Sequence, residues 1–202
     1  AQLAFLDIND VEIRSTGQRY YPHRSTAAQT LGWVGQATQP RDLKVFEGDP
    51  LARYLQGEVC GREDGVEYVC ESLLRGRRGE IVLDIDRPLV RETETELGQD
   101  VQLTLDIQLQ KQIEERLTDP TLNPHYGRAP MAAAVIDVGS GDILPLVSLP
   151  SYDLNTARYR YGELQADPNR PTWNRALYRL YPPGSVAKPT ILVAGLESGA
   201  IT

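Results

Sequence analysis

The spacing of apolar residues in the first half of the chain predicts a mixture of short helices and strands. Apolar positions recur at helical spacing from Ser25 to Gly32 and from Gly65 to Leu74, and a glycine ends or closely follows each stretch. Apolar and polar residues partly alternate from Gln2 to Val11 and from Glu80 to Asp86, which predicts strands. This half is therefore expected to combine both kinds of element.

Further elements are predicted from about residue 100 onwards. Val101, Leu103 and Leu105 alternate with polar residues and predict a short strand. Asp106 comes next and is a suitable N-cap for a helix whose apolar face begins at Ile107. A strand that leads directly into a helix is the expected arrangement here.

Two apolar stretches predict a β-hairpin. Met131 to Val138 and Asp142 to Ser148 are joined by Gly139-Ser140-Gly141, residues typical of a turn. The segment from Ser151 to Tyr181 is rich in Tyr, Arg, Asn and Pro, and we expect a long irregular connection whose aromatic rings pack on the rest of the chain. Within it, Tyr152-Asp153-Leu154-Asn155 predicts an Asx turn rather than a catalytic group.

Size and charge narrow the class of protein. The chain has 202 residues, 41% of them hydrophobic, enough for a core in one large or two small domains. Its net charge of -7 argues against a general nucleic-acid binder, and Arg75, Arg77 and Arg78 lie beside glycines and predict a solvated turn. No apolar run reaches the roughly eighteen residues of a membrane-spanning helix, and no secretory signal pattern opens the chain.

The cysteines and histidines argue against metal and redox chemistry. Cys60 and Cys70 are too widely spaced for a Cys-x-x-Cys motif. A disulfide between them and two separate thiols packed as small apolar groups both remain open, and we favour the thiols. His23 and His125 are far apart, so we predict neither a Ser-His-Asp triad nor a zinc site, and no cofactor.

The stretch from Pro182 to Lys188, Pro-Pro-Gly-Ser-Val-Ala-Lys, carries the most specific chemical signal. If a helix begins near Ser185, then Ser185 and Lys188 lie on one face, one turn apart. The lysine amine can then take the serine proton, while N–H groups at the helix N-terminus stabilise an oxyanion. Ser-x-x-Lys alone would favour a surface lysine beside a helix start, so its surroundings must decide.

These surroundings resemble the active-site helix of class B penicillin-binding proteins, in which Tyr-x-Pro-Gly-Ser-x-x-Lys recurs, as in Tyr181 to Lys188 here. Other segments resemble the same family, in the same order along the chain. They are Arg19 to Pro22, Ala27 to Gly35, Gly65 to Glu67, Leu74 to Gly76, Ala133 to Ser148, Pro150 to Asn155, Asn174 to Ala176 and Ala194 to Thr202.

The resemblance implies an α+β fold in two parts. Residues 1–97 correspond to the non-catalytic pedestal, a dimerisation-type domain, and residues 98–202 to the N-terminal part of a penicillin-binding transpeptidase domain with the serine β-lactamase-like fold. The family's Ser-x-Asn element and Lys-Thr-Gly strand are absent from the sequence. We therefore expect a chain truncated at both ends relative to the family, without the N-terminal membrane anchor, and inactive by itself.

The implied activity is that of a peptidoglycan D,D-transpeptidase of cell-wall elongation, similar to penicillin-binding protein 2, at the periplasmic face of the inner membrane. By resemblance Ser185 is the nucleophile that forms an acyl-enzyme and Lys188 is the general base. No substrate-binding residue or metal ligand is assigned. The implied partners are peptidoglycan stem peptides, β-lactam antibiotics, a glycosyltransferase and cell-shape scaffold proteins, with no nucleic acid and no membrane contact except through the anchor.

Two alternatives remain open. The chain could act as a pedestal or interaction module that docks partners in cell-wall synthesis, a role suited to residues 1–97. A serine β-lactamase or a β-lactam sensor shares Ser-x-x-Lys, but the pedestal-like first half argues against it.

Overall fold

The computed structural model describes residues 18–37, 48–53, 57–62, 64–82, 91–124 and 130–201. Helices and strands are interspersed along the chain, as expected for an α+β protein. Within these ranges the strands form three separate antiparallel pairs. The strand predicted from Gln2 to Val11 lies outside the described residues.

The first part of the structure combines two strand pairs with short helices. Strand β1 pairs with β2, with Trp33 opposite Arg62, and β3 pairs with β4, with Glu80 opposite Thr93. The helix predicted to end at Gly32 does so, since the Gly32 N–H donates to the Ala28 carbonyl. The elements are α1 (Ala28–Leu31), β1 (Trp33–Gln36), β2 (Val59–Arg62), α2 (Val66–Val69), α3 (Glu71–Leu74), β3 (Glu80–Val82) and β4 (Arg91–Thr93).

The helix predicted from Gly65 to Leu74 forms as two short helices, α2 and α3, separated at Cys70. Strand β2 lies so close to α2 that a Cβ atom on Gly61 would be 2.0 Å from the Glu67 carbonyl oxygen. The Glu71 carboxylate in α3 accepts a 2.7 Å hydrogen bond from the Gly61 N–H. Both helices are therefore fixed to the same strand, through a glycine that leaves room for the backbone.

All three arginines after α3 form ion pairs. The prediction of a solvated turn is confirmed for Arg77, which is exposed, but not for Arg75 and Arg78, which are partly buried. Arg75 and Arg78 share the Glu58 carboxylate, at 2.5 and 3.2 Å. Arg77 Nε lies 2.7 Å from Asp49 Oδ2. The carboxylates come from segments about twenty to thirty residues away in sequence, and local sequence contains no signal that brings them together.

The second part contains the predicted helix and hairpin. Asp106 accepts hydrogen bonds from two N–H groups of the first turn of α4, as expected of an N-cap. Strands β5 and β6 pair antiparallel, with Met131 opposite Leu149, and the register shifts between Ala134 and Ile136. The elements are α4 (Ile107–Thr118), β5 (Met131–Ile136), β6 (Ile143–Leu149), α5 (Ala157–Ala166), α6 (Arg175–Tyr178), a 3₁₀ helix (Gly184–Ala187) and α7 (Lys188–Glu197).

Two expectations for this part are wrong. Residues 101–105 do not form a strand; they run beside the start of β6, where the Thr104 hydroxyl donates to the Ile143 carbonyl at 2.8 Å. The Asp106 N–H also donates to the Leu144 carbonyl at 2.9 Å, but these two bonds do not make a regular strand ladder. The connection from Ser151 to Tyr181 is not irregular throughout, because it contains α5 and α6. Tyr152 and Tyr161 pack in the main hydrophobic cluster, as expected of its aromatic residues, whereas Tyr159, Tyr178 and Tyr181 are exposed.

The main hydrophobic cluster joins the two halves of the chain. Trp33 in β1 is 6% exposed, and its ring centroid lies 5.1 Å from that of Tyr161 in α5. Residues from the predicted pedestal therefore pack directly on residues from the predicted transpeptidase part, and the boundary between residues 97 and 98 stays a prediction. The cluster contains Tyr21, Ala28, Trp33, Tyr152, Leu154 and Ala157, with Leu31, Tyr161 and Leu164 packed against it.

Cys60 and Cys70 are both described, and no disulfide joins them, as expected. Cys60 is buried beside Ala37, whereas Cys70 is partly exposed. In the part of the chain that the structure describes, no helix has the length and apolar character needed to cross a membrane.

Candidate active site

Ser185 and Lys188 lie where a 3₁₀ helix passes into an α-helix. Gly184 has φ +56 and opens the 3₁₀ helix, and Lys188 is the first residue of α7. The Lys188 N–H donates to the Ser185 carbonyl oxygen, which closes the turn between them. Because residues three apart nearly eclipse in 3₁₀ geometry, the two side chains leave the same side of this turn. The predicted helix start near Ser185 is therefore present.

Helix α7 is apolar but lies open to solvent. Ile191 is 66% exposed and Leu192 is 54% exposed. Of the ten residues of α7, all are exposed except Gly195, which is partly buried. Leu196 is also exposed. A helix that is hydrophobic on all sides is normally buried, so this one requires a covering surface.

Lys188 is exposed, as is Ser185. Both residues lie at the N-terminal end of α7, where the helix dipole is positive, but solvent screens this effect at an exposed site. The two residues thus lie on one turn at the start of α7 and are open to solvent.

The end of α7 is built as the sequence predicts. The Ser198 N–H donates to the Ala194 carbonyl, and Gly199 follows with φ +69. The Ala200 N–H then reaches back to the Gly195 carbonyl at 3.0 Å. Glycine at this left-handed position ends the helix without strain from a side chain.

A buried arginine fixes the segment that leads toward Ser185, and the sequence analysis gave this arginine no role. Arg175 is 5% exposed, and its guanidinium donates to the carbonyls of Arg170 and Trp173, at 3.0 and 3.3 Å, and to that of Asn169. Burial lowers the pKa of Arg175. Its backbone N–H donates to Ser148 Oγ, which in turn donates to the Trp173 carbonyl. The sequence signal that could have identified Arg175 is Asn174-Arg175-Ala176, one of the segments that resemble the family.

The predicted Asx turn is confirmed and connects the two halves of the chain. The Asn155 N–H donates to Asp153 Oδ1 at 2.9 Å. The Asn155 side chain forms a pair of hydrogen bonds with the backbone of Tyr21, accepting from its N–H at 2.9 Å and donating to its carbonyl at 2.8 Å. This arrangement is structural, as expected.

No group of three or more His, Cys, Asp or Glu side chains that could hold a metal ion occurs among the described residues. His125 lies outside them.

Two family models match the chain in sequence order. The penicillin-binding protein dimerisation domain matches residues 5–103, and the penicillin binding protein transpeptidase domain matches residues 131–202. Together these models cover most of the chain, in the order that the sequence predicts.

Curated relatives agree with these matches. The peptidoglycan D,D-transpeptidase MrdA of Escherichia coli K12 is 34% identical over 95% of this chain and 30% of the relative. MrdA of Acinetobacter baumannii is also 34% identical, over 95% of the chain and 28% of the relative. Penicillin-binding protein 3 of Bacillus subtilis is 29% identical over 93% of this chain and 27% of the relative. The chain thus spans less than a third of the length of these relatives.

Solved structures give the same result. Pseudomonas aeruginosa PBP2 in complex with WCK 5153 aligns with a TM-score of 0.68 and 32% identity, over 95% of this chain and 37% of that one. A chain of the complex between PBP2 and MreC from Helicobacter pylori aligns with a TM-score of 0.67 and 30% identity, over 88% of this chain and 32% of that one.

Proposed function

This chain belongs to the penicillin-binding proteins that join a dimerisation domain to a transpeptidase domain, and we propose that it carries the nucleophile of a peptidoglycan D,D-transpeptidase of cell-wall elongation. The observation that carries the proposal is the position of Ser185 and Lys188. They lie on one turn at the start of α7, inside the residues matched by the transpeptidase model.

In the proposed reaction Ser185 Oγ attacks the carbonyl carbon of the penultimate D-alanine of a stem peptide. Lys188 Nζ accepts the hydroxyl proton, and N–H groups at the helix start, including that of Ser185, stabilise the oxyanion. The bond to the terminal D-alanine breaks, its amine takes the proton from Lys188, and an ester to Ser185 remains. The amine of a second stem peptide then attacks this ester, forms the cross-link and restores the hydroxyl. A β-lactam acylates the same serine and leaves it blocked.

We further propose that other segments of the complete protein cover α7. Its apolar side chains are exposed on all sides, and this chain spans less than a third of its curated relatives. Such cover would remove water from Lys188 and favour its neutral form, as a general base requires. For the same reason, we expect the 202-residue chain alone to show no useful acylation.

The test is intact-mass measurement after incubation with a fluorescent penicillin. We expect one adduct on the complete protein, none on Ser185→Ala, and normal labelling of Ser198→Ala, which changes an exposed serine at the other end of the same helix. Lys188→Ala should lower the acylation rate about 10²-fold or more, while Lys111→Ala, at an exposed lysine of α4, should leave it unchanged. An adduct that persists in Ser185→Ala contradicts the assignment.

The relatives support this function over the β-lactamase or sensor alternative, because MrdA of both organisms bears the name of a transpeptidase. A β-lactamase would release the hydrolysed drug rapidly and regenerate free enzyme. A transpeptidase should keep the adduct for many turnover times, which the same mass measurement shows.

We also propose a cell-shape partner and a periplasmic location, at the face of the inner membrane, for the complete protein. A PBP2 related to this chain has been solved together with MreC, and the dimerisation model matches residues 5–103. We expect an MreC-type protein to bind the Ser185→Ala variant as tightly as the unmodified protein. Binding without any acylation of the unmodified protein would instead favour the interaction-module alternative.

A further inference from the structure

Gln29 reaches from the dimerisation part of the chain to two carbonyls of the transpeptidase part. It lies on α1 and is 6% exposed. Its Nε2 atom donates to the Pro150 carbonyl at 3.0 Å and to the Pro171 carbonyl at 2.7 Å. A side-chain amide has two N–H donors, so both bonds form at once and both donors are used.

These carbonyls lie at the two ends of the segment, residues 150–171, that contains α5. Pro150 directly follows β6, and Pro171 begins the turn that leads to α6. The Pro150 end has a further tie to the first half, since the Ser151 hydroxyl donates to the Ser25 carbonyl at 2.6 Å. At the Pro171 end, the hydrogen bond from Gln29 connects the segment to α1.

From Pro171 the constraint continues toward the nucleophile. The next residues are held to β6 through Ser148, whose hydroxyl donates to the Trp173 carbonyl at 2.9 Å and accepts from the Arg175 N–H at 3.1 Å. Helix α6 follows, and the chain then leads to Ser185. The path into the nucleophile turn thus starts from a carbonyl whose buried donor is Gln29.

We propose that Gln29 is a positioning residue for Ser185, a role that rests on the proposed transpeptidase function. It touches no reacting atom and acts through Pro171 and the segment held on β6. Without its donors two carbonyls at a largely buried site lose their partner, and the segment shifts to find water. A displacement of about 1 Å at a reacting group can lower a rate about 10²-fold.

The experiment compares the complete protein with three variants. Gln29→Met keeps the length of the side chain and removes both donors. Gln29→Glu keeps the shape but faces two carbonyls with a carboxylate. Thr30→Val is the matched control, since Thr30 is the next residue of α1 and its buried hydroxyl has no hydrogen-bond partner among the described residues. Acylation by a fluorescent penicillin is followed by stopped flow, which separates non-covalent affinity from the acylation rate constant.

We expect both Gln29 variants to lower the acylation rate constant about 10- to 100-fold per folded molecule, with affinity little changed, and Thr30→Val to match the unmodified protein. Circular dichroism and active-site titration give the folded fraction, so that simple unfolding is not counted. An unchanged rate constant in Gln29→Met, or a loss fully explained by unfolded protein, overturns the proposal. If the unmodified protein forms no adduct at all, it is the transpeptidase function itself that fails.

Discussion

Gln110 is a fully buried polar residue that completes the hydrogen bonding of a strand. It is 0% exposed. Its Oε1 accepts from the Leu146 N–H at 2.7 Å, and its Nε2 donates to the Leu146 carbonyl at 3.2 Å and to Glu114 at 2.6 Å. One side chain of α4 therefore bonds both backbone groups of a β6 residue, as a neighbouring strand would. Buried polar groups need such partners.

Replacing Gln110 with alanine should lower the free energy of unfolding by about 2–4 kcal/mol, because it leaves both Leu146 groups unpaired and opens a cavity. Urea denaturation followed by circular dichroism measures this. Gln108→Ala is the matched control, at an exposed position two residues earlier, and should change stability by less than about 0.5 kcal/mol. Equal effects of the two substitutions would contradict the role of Gln110.

Glu114 gives stability a specific pH dependence. Burial raises the pKa of its carboxyl, although hydrogen bonds from the Ala27 N–H and from Gln110 act in the opposite direction. A carboxyl whose pKa is higher in the folded than in the unfolded state favours folding while it is protonated. This contribution to stability is fully present at pH values below the unfolded-state pKa, about 4.3, and is lost as pH rises through the folded-state pKa. Charging this group therefore works against folding.

Glu114→Gln should thus gain stability relative to the unmodified protein as pH rises from about 4 to about 7, since glutamine does not titrate and its amide oxygen can still accept from Ala27. Urea midpoints at several pH values measure the difference. Glu115→Gln, at an exposed neighbour, should show no such trend. A difference that stays constant with pH would exclude Glu114 as its source.

At the scale of one element, α4 depends on its N-cap. Asp106 accepts from the N–H groups of Gln108 and Leu109, at 2.9 and 3.0 Å. Asp106→Ala should lower the free energy of unfolding by about 1 kcal/mol, because those N–H groups lose their acceptor. Asp100→Ala, at an exposed aspartate before the helix, should have almost no effect. Chemical denaturation measures both, and an equal loss in each would point to net charge rather than capping.

Helix α7 shows the limit of an element taken alone. Its sequence specifies a helix start, a nucleophile turn and a glycine stop, and all three are present. Its apolar side chains nevertheless remain exposed, so helix formation and helix packing are separate matters. The chemistry proposed for Ser185 and Lys188 requires both.

At the scale of the whole molecule, the contact between Trp33 and Tyr161 joins the two halves. A double-mutant cycle with Trp33→Ala and Tyr161→Ala should give a coupling energy of about 0.5–1.5 kcal/mol, because the two rings are in contact within the main cluster, tilted by 39° to each other. Equilibrium unfolding of the four proteins measures it.

The matched cycle pairs Trp33→Ala with Tyr159→Ala. Tyr159 lies on the same helix and is 70% exposed. This second pair should show no coupling, since the effects of substitutions without shared partners add. A coupling energy of similar size in both cycles would mean that the coupling does not come from the contact between the rings of Trp33 and Tyr161.

The sequence by itself determined the features that depend on neighbouring residues. The helix stop at Gly32, the cap at Asp106, the hairpin turn, the Asx turn at Asp153 and the helix start at Ser185 are set by local backbone preference and short-range hydrogen bonds. The family follows from motifs of the same local kind, in their order along the chain. For this reason the fold class and the candidate nucleophile could be predicted.

Only the tertiary structure decided the features that depend on distant partners. The ion pairs of Arg75 and Arg78, the buried contacts of Arg175 and Gln110, and the reach of Gln29 to Pro171 join residues whose separation carries no periodic signal. The absent strand at 101–105 has the same cause: the segment runs beside β6, but alternation cannot show whether its backbone forms a regular ladder there. Burial and pairing are set by what the fold brings together, and local spacing does not contain that information.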